Sequence, residues 1–249
     1  MKQALLILSC AVALCGASAA DDATAAVARG REFLVRLFNP QLDLLPEYEG
    51  AKVFWLYHDN YLAAKILRPT HPELAERISA AIRAYGVTES GKIEIVFGEA
   101  RRTPPFHRYE LRDVAKSGGA LIRTEVTLPE ETKDWREYAD LLLLAALAEH
   151  DPAEARRDFD AALALWDGTG LHDAAAKHSG LYATYKLALA LRAAHHLGQS
   201  PPAIAAMRER LFKMQGRSGG WITDYQGDGT PHGLANVETT ALSILALEP

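Results

Sequence analysis

Residues 141–148 are eight apolar side chains in a row, and residues 62–67, 187–191 and 241–247 come close to repeating them. A helix without a polar face has to be covered on every side. The chain supplies cover in segments of a second kind. Leu74, Ile78, Ile82 and Tyr85 recur at helical spacing among charges, as do Ala155, Phe159, Leu163 and Trp166, and again Ile204, Met207, Leu211 and Met214. Each of these has one apolar stripe and one wet face. Asp151-Pro152-x-Glu154 and Ser200-Pro201 read as helix starts. The alternation of the two kinds predicts a mainly α protein, an α/α toroid or horseshoe of about four helical hairpins with the apolar helices inside.

The apolar segments share a register. Asp59, Asp140, Thr184 and Glu238 stand at equivalent first-turn positions, and Tyr57, Tyr138 and Tyr182 precede the first three by two residues. A small β insertion over about 86–128 interrupts the pattern. Within it residues 92–97 and 121–128 alternate with period two and predict strands. Arg101, Arg102 and Arg108 lie on the loop expected between them, where binding residues are often carried.

The N-terminus is a separate matter. Lys2, an apolar run over 4–15 and Ala17-Ser18-Ala19 form a secretory signal-peptide pattern over 1–20. The run is too short to span a bilayer, which takes about 20 residues. Cleavage there removes Cys10 and Cys15, the two cysteines of the chain, and leaves no thiol for a disulfide, a nucleophile or a zinc site. The expected address is periplasmic or extracellular. With 49% hydrophobic and 24% charged residues, 21–249 reads as one globular domain. The net charge of −5 disfavours nucleic acid, whose readers carry basic patches. No cofactor is expected, and no membrane span.

Gln215-x-x-x-Gly219-x-Trp221, followed by Asn236-Val-Glu-Thr-Thr240, resembles the glutamine–tryptophan repeat and inner-helix start of the terpenoid cyclase and protein prenyltransferase superfamily. The resemblance covers about 35 residues and implies an α/α toroid. It does not imply the chemistry, because the chain lacks the Asp-x-Asp-Asp element of the cyclases and, once cleaved, the cysteine of the prenyltransferase zinc site. Toroids of this kind without those motifs also occur in secreted polysaccharide hydrolases and lyases, an analogy from fold alone.

The shared register makes Asp59, Asp140 and Glu238 the candidate catalytic residues. Paired carboxylates about 5–9.5 Å apart are what glycoside cleavage needs. An acid in the first turn of a helix is also favoured by the macrodipole alone, by about 0.3–1 kcal/mol. Trp55, Tyr57 and His58 crowd Asp59 and offer ring faces to a sugar, and Arg101, Arg102 and Arg108 offer guanidinium groups to acidic substituents. The expected function is action on, or binding of, a polysaccharide, by paired-carboxylate cleavage if catalytic. The alternative is a non-catalytic scaffold that binds a protein or a glycan.

Overall fold

A computed structural model describes residues 19–88, 90, 92–99 and 105–248. Of the expected signal peptide, residues 1–18 lie outside that set, and Ala19 already begins a helix. Arg101 and Arg102 lie outside it as well.

The chain opens with α1 (Ala19–Leu37), then β1 (Val53–Trp55), a π-helical turn (Leu56–Tyr61), α2 (Leu62–Leu67) and α3 (Pro72–Ala84). After a 3-10 turn (Ile93–Phe97) come β2 (His107–Ser117), β3 (Ala120–Glu131), α4 (Ala139–Ala148), α5 (Pro152–Leu163) and α6 (Ala174–Ser179). The remainder is β4 (Tyr182–Ala183), α7 (Thr184–His196), α8 (Pro202–Lys213), β5 (Ile222–Tyr225), β6 (Pro231–Ala235) and α9 (Val237–Leu247).

The expected toroid is corrected by the strands. Among the described residues about 52% are helical and 20% strand, with two three-stranded sheets, so the architecture is an α+β mix and not a ring of helical hairpins. One sheet has the order β1-β3-β2, with β1 parallel and β2 antiparallel to the central β3. The other, β4-β5-β6, is antiparallel throughout. Periodicity found the apolar and amphipathic helices but not the six-residue α6, and β4, β5 and β6 left no clear period-two signal. Residues 92–97 are a second correction. Ser90 Oγ accepts from the Ile93 N–H at 2.9 Å, and the Glu94 carboxylate accepts from the Ser90 N–H at 2.8 Å. These reciprocal side-chain bonds cap a helical turn and override the strand-like pattern.

The apolar helices carry the core. Leu143, Ala145 and Ala146 in α4, Leu187 and Ala190 in α7, and Ala241 and Ile244 in α9 have no exposed surface. α9 packs on α7, α2 and α1, and α7 packs on α4. The amphipathic α3, α5 and α8 lie against α2, α4 and α7 respectively.

The Gln215–Trp221 joint ties α1 to the end of α8. Gln215 Nε2 donates to Ala26 O and to Gly219 O, both at 2.8 Å. Trp221 is fully buried, and its indole N–H donates to Leu211 O at 2.9 Å. Gly30 belongs to this contact: a Cβ there would stand 2.7 Å from the Trp221 ring. The glycine that breaks the apolar pattern of the first helix is what lets α1 approach the tryptophan.

Candidate functional site

The π-helical turn exists because of Asn60. Its amide donates to Leu45 O at 3.0 Å and to Trp55 O at 2.7 Å, and its carbonyl accepts from the Leu45 N–H at 2.7 Å. The side chain thereby takes the Trp55 carbonyl that an α-helical ladder would use, and the turn widens. Such turns gather at functional sites. This one presents His58 and Asp59 between β3 and the first turn of α9.

His58 sits between two carboxylates. Its Nδ1 is 3.2 Å from Glu238 Oε1, and its Nε2 is 2.8 Å from Glu125 Oε1. The second contact is close but poorly aligned with the ring N–H, so it acts as an ion pair more than as a hydrogen bond. Burial works to lower the imidazolium, but the contacts and charges of Glu125 and Glu238 outweigh it and push His58 up to about 10. Burial works to raise Glu125, whereas His58, Lys92 and the Tyr109 hydroxyl hold it below the usual range.

Asp59 lies beneath, 1% exposed. Burial, then the charge of Glu238, raises its carboxyl well above the usual value, and one oxygen, Oδ2, has no hydrogen-bond partner among the described residues. Burial thus favours the neutral form of Asp59 beside Glu238. A carboxyl whose neutral form is favoured, beside a second carboxyl, is an arrangement that can supply a proton donor.

Two cavities flank His58. The outer one, about 240 Å³, is lined by Trp55, Asp59, Tyr109, Leu111, Glu47 and Glu238 among others. Tyr109 and Leu111 on β2 are exposed to 46% and 55%, which leaves apolar surface at its rim. The inner one, about 220 Å³, shares His58, Tyr109, Glu125 and Glu238 and adds Lys92, Asp140 and Tyr185. The Tyr185 hydroxyl donates to Asp140 Oδ2 at 3.1 Å, and burial with Asp140 alongside pushes this phenol far up. Lys186, nearly buried, holds Asp173 at 2.5 Å and stands 3.5 Å from Asp140 Oδ1.

A larger cavity of about 690 Å³ lies at the C-terminal ends of α7 and α9, bounded by Arg31, Arg192 and Arg208 over apolar residues of α1 and α8. The titratable groups displaced furthest from their usual range are not there. Three of them, His58, Asp59 and Tyr185, line the smaller pair of cavities at the N-terminal ends of the same helices, which makes that pair the candidate site.

Of the residues singled out in the sequence, Asp59, Asp140, Glu238, Trp55 and His58 line these two cavities. Tyr57 does not: it is buried, stacked on Tyr61 with ring centroids 5.3 Å apart. Arg108 is exposed on β2 and lines neither cavity. Glu125, Tyr109, Lys92 and Tyr185 escaped the sequence reading. An acid on an alternating strand looks like a solvent-facing residue, and only the fold covers Glu125. Tyr185 alone left a trace, as the neighbour of Thr184 in the shared register.

Among the described residues, no group of three or more His, Cys, Asp or Glu is arranged to hold a metal, and no helix is long and apolar enough to cross a membrane. No protein-family model matches the chain, and no curated protein matches it. The expected membership of the terpenoid cyclase and prenyltransferase superfamily is corrected accordingly: a motif of about 35 residues, serving here as a packing joint, carries no family with it.

Proposed function

We propose that the protein binds a polysaccharide across the outer cavity and cleaves a glycosidic bond there, outside the cytoplasm. Asp59 is the proton donor and Glu238 the base. The observation that carries this reading is a buried carboxyl, raised by burial towards its neutral form, next to a second carboxyl that meets the same cavity. Asp59 gives its proton to the glycosidic oxygen as the carbon–oxygen bond breaks. Water adds to the sugar carbon, and Glu238 takes the proton that the water gives up. His58 positions Glu238, and Trp55 and Tyr109 offer ring faces to the sugar. Glu47, Glu125 and Glu238 around the cavity favour a neutral or basic glycan over a uronate.

The test is a screen of the purified protein against neutral and basic polysaccharides for release of reducing ends. Release by the native protein that is abolished in both Asp59→Asn and Glu238→Gln, with unchanged circular dichroism, is the expected result. Release that persists in both variants sinks the reading. A second reading, a glycan-binding cleft without turnover, has one observation in its favour: the His58 ring fills the space between Glu125 and Glu238. Binding by the native protein with no release would establish it.

A further inference from the structure

β2 is a free edge of its sheet. The strand order is β1-β3-β2, and among the described residues no backbone hydrogen bond reaches β2 from any element but β3. Residues 108–113 are all exposed. Such an edge offers a row of unpaired N–H and C=O groups to any strand that comes alongside.

Edges are commonly guarded by bulges, by proline or by charge. On β2 the bulges leave a gap. The register on β3 shifts between His107 and Tyr109 and again between Asp113 and Ala115, and the stretch between the shifts, Tyr109-Glu-Leu-Arg-Asp113, pairs regularly. Tyr109 and Leu111 put exposed apolar side chains on one face of that stretch. Glu110 and Arg112 alternate with them on the other face, and among the described residues neither has an ion-pair partner. Asp113 is already held by Arg123 of β3 at 2.8 Å.

The stretch is complementary to itself. Its regular run is centred on Leu111, with Tyr109 and Asp113 at equal distances from the centre. Laid antiparallel on a second copy about a two-fold axis at Leu111, it sets Glu110 opposite the partner's Arg112 and Arg112 opposite the partner's Glu110. Opposite charges that face each other across strands stabilise the pair, and like charges destabilise it. Moving the axis to Glu110 or to Arg112 sets that residue against its own copy, like charge on like. Side chains directly opposed across two strands share a face. The axis at Leu111 therefore brings the partner's Leu111 beside Leu111 on the face that lines the outer cavity. We infer that β2 pairs with β2 of a second copy of this chain, giving a two-fold dimer with one continuous sheet, in which the partner's Leu111 extends the apolar rim of the outer cavity. Dimerisation does not depend on glycan cleavage, and either can fail alone.

The experiment is sedimentation velocity of the full-length secreted protein. An edge-to-edge contact belongs to the small, transient class of interfaces, so a dissociation constant on the order of 10–100 µM is expected, with dimer appearing as concentration rises through that range. Glu110→Arg alone, and Arg112→Glu alone, each replace two attractions by two repulsions and are expected to weaken the dimer at least about ten-fold. Glu110→Arg combined with Arg112→Glu restores opposite charges across the axis and is expected to restore the dimer, which a general loss of structure would not do. Both side chains are exposed, so thermal melts of all three variants should match the native protein. A protein that stays monomeric through the whole range overturns the pairing. So does a dimer indifferent to both single swaps, or one that the double swap fails to restore.

Discussion

His58 Nδ1 stands 3.2 Å from Glu238 Oε1 across 180 residues of sequence. That contact ties the π-helical turn before α2 to the first turn of α9, and on its far side the same ring meets Glu125 of β3. Three elements from distant parts of the chain thus converge on one imidazolium.

Asp59→Asn keeps the shape of a side chain whose neutral form burial already favours. The variant is expected to lose about 10²–10⁴-fold in glycan cleavage, the usual worth of a positioned proton donor. Its melting temperature should barely move. Reducing-end assays and a thermal melt of the same preparation check both halves.

His58→Gln removes the charge that compensates Glu125, whose side chain is 4% exposed. Leaving a buried charge without its partner costs about 3 kcal/mol, the low end of the usual range because His58 itself is a quarter exposed. Urea denaturation measures it, and a loss below about 1 kcal/mol would show that the ion pair is not what holds this region together.

The same residue sets a pH dependence. His58 is near 10 in the folded protein against an ordinary 6.5, so the folded state binds its proton more tightly than the unfolded chain does. Its contribution to stability is therefore complete below about pH 6.5, declines from there, and is gone above about pH 10. Denaturant midpoints at pH 6, 8 and 10 should fall in that order, and His58→Gln should flatten the fall.

Lys186→Met strands Asp173, which is fully buried and also accepts from the Ala139 and Ala176 N–H groups. A loss of about 3–5 kcal/mol is expected, because the partner charge stays behind in the core. Replacing both residues, Lys186→Met with Asp173→Asn, should recover part of the loss. A double-mutant cycle in urea reads the coupling directly.

Gln215→Ala breaks the bonds to Ala26 O and Gly219 O and the one accepted from Arg29, away from the two cavities that flank His58. About 1–2 kcal/mol of stability should go, with glycan binding unchanged at temperatures where the variant is folded. Calorimetric titration beside a melt separates the two.

The sequence by itself determined the helices and part of the site. Eight apolar residues at 141–148 leave no face for water, so their burial as α4 follows from composition alone. The shared register put Asp140 and Glu238 at the starts of apolar helices, and the fold places both on the inner cavity. What the sequence could not hold is set by contacts between distant residues. The three-residue β1 becomes a strand because β3 pairs with it in parallel, an interaction with no local signature. Residues 92–97 alternate like a strand, yet Ser90 and Glu94 close them into a turn. Glu125 reads as a surface acid until His58 covers it, and His58 can do so only because Asn60 opens the turn on which it stands. Local pattern reports what each segment must bury. Which charges share that burial depends on the tertiary structure, since an ion pair is made by two residues and appears in the sequence of neither.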